Sequence, residues 1–110
     1  MFSGCSDFGD ELVVKKEYWD NGKLESETHY KNGKQDGMET SWFESGEKSG
    51  EYHWKNGKRK GLGTDWYESG EKKSIKHFKN GTENGIRKKW DKNGLITYQE
   101  NYVDGVEEIK

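Results

Sequence analysis

The 110-residue sequence predicts an all-β fold, a single-layer antiparallel sheet of β-hairpin repeats with about eight strands in one meander and a 24-residue period. Three observations predict it. Glycines recur 24 residues apart in three sets: Gly22, Gly46, Gly70 and Gly94; Gly33, Gly57, Gly81 and Gly105; Gly37, Gly61 and Gly85. Large side chains keep the same step, with Tyr18, Trp42, Trp66 and Trp90 in one set, Tyr30, Trp54, Phe78 and Tyr102 in another, and Val14, Met38, Leu62 and Ile86 in a third. From Leu12 onward, 18 apolar residues carry even numbers and eight carry odd ones. That is the period-two pattern of strands, and because 24 is even each repeat keeps its side chains on the same side.

Each element follows from the turn signals. "DNG/ESG/ESG/KNG" and "KNG/KNG/KNG/VDG" cut every unit into two short segments rich in β-branched, aromatic and charged residues, the pattern of stacked hairpins. Strands are expected at 13–19, 24–31, 38–44, 48–55, 62–68, 72–79, 86–92 and 96–103, with residues 1–12 as a flexible leader and 13–110 as the repeat domain. At the turn before Glu47, a three-residue loop Glu44-Ser45-Gly46, with glycine in the left-handed conformation, pairs Phe43 with Glu47. Trp42, Gly50, Tyr52 and Trp54 are then expected on one face. A two-residue loop would instead set Trp42 on the face of Glu51 and His53.

Composition excludes several classes of function. Only 27% of the residues are hydrophobic and 36% are charged, too little apolar material for a conventional two-layer core. Five Trp, six Tyr and four Phe nevertheless favour a folded chain over a disordered one. Fifteen glycines and no proline fit many tight turns between strands that keep their backbone donors. The net charge of -2 opposes a globally basic nucleic-acid binder, although residues 41–88 carry seven acids against eleven bases. No apolar segment long enough to span a membrane occurs.

Cys5 is the sole cysteine and forms no internal disulfide. A cytoplasmic location is the expectation. The setting "FSGC" leaves an envelope lipoprotein tethered through Cys5 as the alternative, provided an apolar segment precedes it.

The units "YWDNGKLESETHYKNGKQDG", "WFESGEKSGEYHWKNGKRKG" and "WYESGEKKSIKHFKNGTENG" resemble the variant MORN repeat common in bacteria, an aromatic pair, a turn, an aromatic, N-G-K and a closing glycine. The resemblance covers about residues 14–110. Asp91, Leu95 and Ile109 depart from the pattern and suggest a C-terminal cap. The resemblance implies a hairpin-repeat sheet and non-catalytic binding, with bacterial members described as antitoxin-like or immunity-like and MORN proteins more broadly linked to membranes and scaffolding.

Catalytic and metal chemistry find no support in the spacing. His29, His53 and His77 recur in step, but two strands per repeat place them about 10 Å apart, too far to share one ion. No serine occupies a nucleophile elbow, and no helix pattern follows the Gly-x-Gly fragment in "GLGTDW". The sequence therefore points to a non-enzyme without metal or cofactor. Trp19, Phe43 and Tyr67, at odd positions, are expected to form a row opposite the main apolar face, with His53, His77, Lys55 and Lys79 as its polar rim. A protein partner is expected at this surface, occluded in the manner of an antitoxin, immunity protein or inhibitor; nucleic acid held by the basic, aromatic central repeats is the alternative. Oligomeric state is left open.

Overall fold

The computed structural model describes residues 10–108, so Cys5, Ile109 and most of the expected leader lie outside the described residues. Ten strands form one antiparallel sheet: β1 (Leu12–Tyr18), β2 (Leu24–Lys31), β3 (Lys34–Trp42), β4 (Lys48–Lys55), β5 (Lys58–Trp66), β6 (Lys72–Lys79), β7 (Thr82–Glu83), β8 (Gly85–Trp90), β9 (Ile96–Val103) and β10 (Val106–Glu107). They follow one another in chain order across the sheet, with β7 and β8 both beside β6. The extents of 53 × 39 × 14 Å leave room for one layer. Among the described residues no hydrophobic side chain is fully buried, so stability rests on cross-strand pairs and on each repeat's contact with the next.

The sheet has ten strands rather than the expected eight, because only two residues are needed to turn at the second signal. Asn32, Asn56, Asn80 and Asp104 adopt φ of 52°, 49°, 51° and 51°, each followed by a glycine at 82–85°. These are two-residue type I′ loops, whose twist matches that of the flanking strands. Pairing resumes at once, so β3 and β5 begin at Lys34 and Lys58, four residues before the expected starts, and β7 and β10 appear. Each loop is also tied to the strand that follows the preceding one: Gly57 N donates to Gln35 O on β3 at 2.8 Å and Gly81 N to Arg59 O on β5 at 2.9 Å.

The first turn signal makes the expected three-residue loop. Phe43 N donates to Glu47 O at 2.8 Å and Gly46 has φ 100°. The facing that was expected to follow does not. Trp42 pairs with Lys48, but Ser41 pairs with Gly50, so Ser49 is an extra, bulged residue. Glu25, Lys73 and Thr97 are skipped in the same way in the other hairpins. Each bulge advances the parity by one, and directly opposed residues share a face.

Odd positions of β1, β3, β5 and β8 therefore share a face with even positions of β2, β4, β6 and β9. Trp42 lies with Glu51 and His53, opposite Gly50, Tyr52 and Trp54. Trp42, Trp66 and Trp90 still share one side with each other, but the rings of β2, β4, β6 and β9 stand on the other.

The third glycine set has its own cause. Between Thr28↔Glu39 and Tyr30↔Gln35 the register jumps, and Gly37 at φ 109° absorbs the excess. The facing histidine side chain comes close there: a Cβ on Gly37 would lie 3.3 Å from His29 Cβ.

Candidate functional site

One face, here called the ring face, gathers Tyr30, Tyr52, Trp54, Phe78, Tyr98 and Tyr102 from β2, β4, β6 and β9. Alternation along the odd strands brings Trp19, Phe43 and Tyr67 onto the same side at the three-residue turns, about 10 Å apart at two strands per repeat. Two of the three turn-side rings are locked to the following repeat. Trp19 Nε1 donates to Trp42 O at 3.1 Å, and the Tyr67 hydroxyl donates to Trp90 O at 2.8 Å.

Small and polar residues lie between the two sets of rings. Ser41, Gly50, Asp65 and Ser74 are successive cross-strand partners on β3 to β6, and Gly50 and Ser74 are buried. The floor is a hydrogen-bonded unit: the Tyr52 hydroxyl donates to Asp65 Oδ2 at 2.6 Å, and Ser74 Oγ donates to the same oxygen at 3.2 Å. Above it is an open depression of about 600 Å³, walled by Phe43 and Tyr67 and rimmed by Lys73, Lys76 and Lys89. A second hollow of about 440 Å³ continues past Tyr67 to Lys92. Lys73 sits 5.8 Å from the Tyr67 ring centroid, which presents its ammonium beside that ring.

The seven residues expected to bind a partner do not form one patch. Trp19, Phe43 and Tyr67 stand on the ring face, whereas His53 pairs with Lys60 and Lys55 with Lys58 on the opposite face, which also carries His77 and Lys79. The lysines that border the rings are Lys73, Lys76 and Lys89. Their signal in the sequence was slight: Lys73 is one of four bulged residues 24 apart, but Glu25, Ser49 and Thr97 share no chemistry with it.

Two of the three histidines have local partners. His29 Nε2 lies 3.0 Å from Glu27 Oε2, and His77 Nδ1 meets Ile86 O at 2.9 Å beside the close approach at Gly85. Among the described residues no group of His, Cys, Asp and Glu could hold a metal ion. Nor does any helix among them have the length and apolarity to cross a membrane.

The Tyr52 phenol is pushed well above its ordinary value of 10.0, first by burial and then by its hydrogen bond to Asp65. The folded state thus prefers the neutral phenol. Stability from this group is fully present below pH 10 and falls as pH rises beyond it, because the unfolded chain ionises first. Urea unfolding between about pH 9 and 11 should show this decline, and Tyr52→Phe should flatten it. Equal alkaline slopes in the two proteins would remove Asp65 and burial as the cause.

Residues 13–32 and 59–80 match the family model described as MORN repeat variant, and the two segments cover the β1–β2 and β5–β6 hairpins. The match supports the MORN-repeat family. No curated protein and no solved structure matches the chain.

Proposed function

From a sheet carrying MORN-variant repeats, we propose a non-enzymatic protein-binding module that occludes a protein target in the manner of an antitoxin, immunity protein or inhibitor. The observation that carries this reading is the depression beside Phe43 and Tyr67. Its walls are aromatic, its floor is already hydrogen-bonded, and one ring is fixed by the bond from the Tyr67 hydroxyl to Trp90 O. Little conformational entropy is left to lose on binding, so such a surface retains most of its contact energy as affinity. The rim of Lys73, Lys76 and Lys89 selects a target segment with acidic side chains around an apolar anchor.

The test compares the protein with its Phe43→Ala, Tyr67→Ala double variant in affinity capture from the native host, followed by a titration of the recovered protein. Two truncated aromatic anchors should weaken binding by at least about tenfold, in a variant whose sheet is still folded at the assay temperature by circular dichroism. Undiminished affinity in a folded double variant would remove the ring face from the contact.

A further inference from the structure

The opposite face carries a feature that the ring-face binding reading does not use. At the ends of the strands closed by the Asn-Gly loops, Lys31 is directly paired with Lys34, Lys55 with Lys58, and His53 with Lys60, while Lys79 follows on β6. These residues lie on five consecutive strands. At about 4.8 Å per strand they form a ridge roughly 20 Å long. Like charges directly opposed in a sheet repel and destabilise the pair.

Compensation within the protein is sparse: Lys31 reaches Asp10 at 3.3 Å and Lys55 reaches Asp36 at 3.8 Å, while among the described residues Lys34, Lys58, Lys60 and Lys79 make no salt bridge. The stems are nonetheless held in place. A Cβ on Gly57 would lie 3.8 Å from Lys34 Cβ, and one on Gly81 would lie 3.3 Å from Lys58 Cβ, so each stem rests over the next loop. A hollow of about 420 Å³ lies among Lys34, Lys55, Lys58, Arg59, Lys60 and the Asn56 and Asn80 residues of the loops.

We propose that this ridge binds a linear phosphate chain, the backbone of a single-stranded nucleic acid or an inorganic polyphosphate, laid across the strands. Lysine ammoniums bind phosphate oxygens as point charges, without the bidentate geometry that arginine brings to carboxylate and phosphate alike, and their spacing along the ridge matches a run of successive charges rather than a single anion. Arg59 borders the hollow, but its guanidinium lies over the Tyr52, Trp54 and Phe78 rings on the other face, which leaves the lysines as the available cations there. Among the described residues no tyrosine, tryptophan or phenylalanine stands in the ridge, since Trp42 and Trp66 lie at the far ends of β3 and β5. Contact is therefore with the backbone, and binding is independent of base sequence.

The experiment is fluorescence anisotropy with a short labelled oligothymidylate over a series of salt concentrations. Binding should weaken with a log–log slope of about −3, the counterion release expected for four or five phosphate contacts on a single strand. Lys34→Gln, Lys55→Gln and Lys58→Gln together should lower affinity at least tenfold and flatten the slope by about 2 units. These are exposed positions whose neutralisation relieves repulsion, so the triple variant should melt no lower than the parent. The Phe43→Ala, Tyr67→Ala variant should bind the oligonucleotide normally.

Inorganic polyphosphate as competitor separates the two sources: displacement at equal phosphate concentration assigns the phosphate chain itself, and failure to displace a bound oligonucleotide assigns the nucleic acid. Absence of binding to either probe, a flat salt response, undiminished binding by the triple variant, or loss of binding in the ring-face variant would overturn the proposal.

Discussion

Gly63→Ala is expected to remove about 3 kcal/mol of folding free energy, far more than the usual cost of an extra methyl group on a sheet surface. Gly63 is buried on the ring face, and a Cβ there would overlap the Tyr52 ring at Cε2 and Cδ2. Tyr52 has no easy escape. Its hydroxyl is held by Asp65 at 2.6 Å, its ring is tilted against Phe78 at a centroid distance of 6.2 Å, and the Arg59 guanidinium lies 4.5 Å from its centroid. Moving the ring breaks several contacts together.

A double-mutant cycle isolates the cause. In a Tyr52→Ala background the ring is gone, so Gly63→Ala should add less than about 0.5 kcal/mol, giving a large coupling between the two positions. Additive costs in urea unfolding would mean that the glycine matters for its backbone and not for the ring above it.

This pair also marks where the sequence stopped being legible. Period, strand positions and the left-handed glycines at Gly22, Gly46, Gly70 and Gly94 could be read because they depend on local backbone rules, which repeat faithfully. Facing could not. It depends on whether one residue is skipped between Lys48 and Gly50, and Ser49 bears no residue type that declares a bulge. A single skipped residue reverses every side chain beyond it, so the rings of β4 changed sides relative to Trp42 while their numbering kept its parity.

The consequence reached the candidate site directly. Phe43 and Tyr67 were recognisable as a row, but the lysines assigned to that row, Lys55 and Lys79, belong to the opposite face, and Lys73, Lys76 and Lys89 take the place beside the rings. The Asn-Gly loops produced a smaller error of the same origin. "NGKQDG" reads as one extended turn by composition, yet only Asn32 and Gly33 turn, and Lys34 to Asp36 are already strand. The lysines of the basic ridge owe their position to that economy.

Arg59→Met is expected to cost about 2 kcal/mol, although methionine replaces the arginine stem and removes a charge from a basic hairpin. The guanidinium carbon lies 4.5 Å from the Tyr52 ring centroid, 5.3 Å from Trp54 and 5.4 Å from Phe78, so one cation is shared by three π faces drawn from β4 and β6. Its Nε is buried with no hydrogen-bond partner, as suits a group whose surroundings are rings and not oxygens. With no hydrophobic side chain buried among the described residues, this cluster is the nearest equivalent of a core: it joins adjacent hairpins across β5, and Trp54 extends it to Glu39 through a 2.8 Å bond from Nε1 to the carboxylate.

Arg59→Lys separates charge from shape. A compact ammonium can sit over one ring but cannot spread across three, so lysine should recover less than half of the loss. Urea unfolding followed by tryptophan fluorescence measures all three proteins. If methionine proves as stable as arginine, the stem alone holds the hairpins together and the charge contributes nothing; if lysine proves as stable as arginine, the planar, delocalised cation has no special part in the cluster.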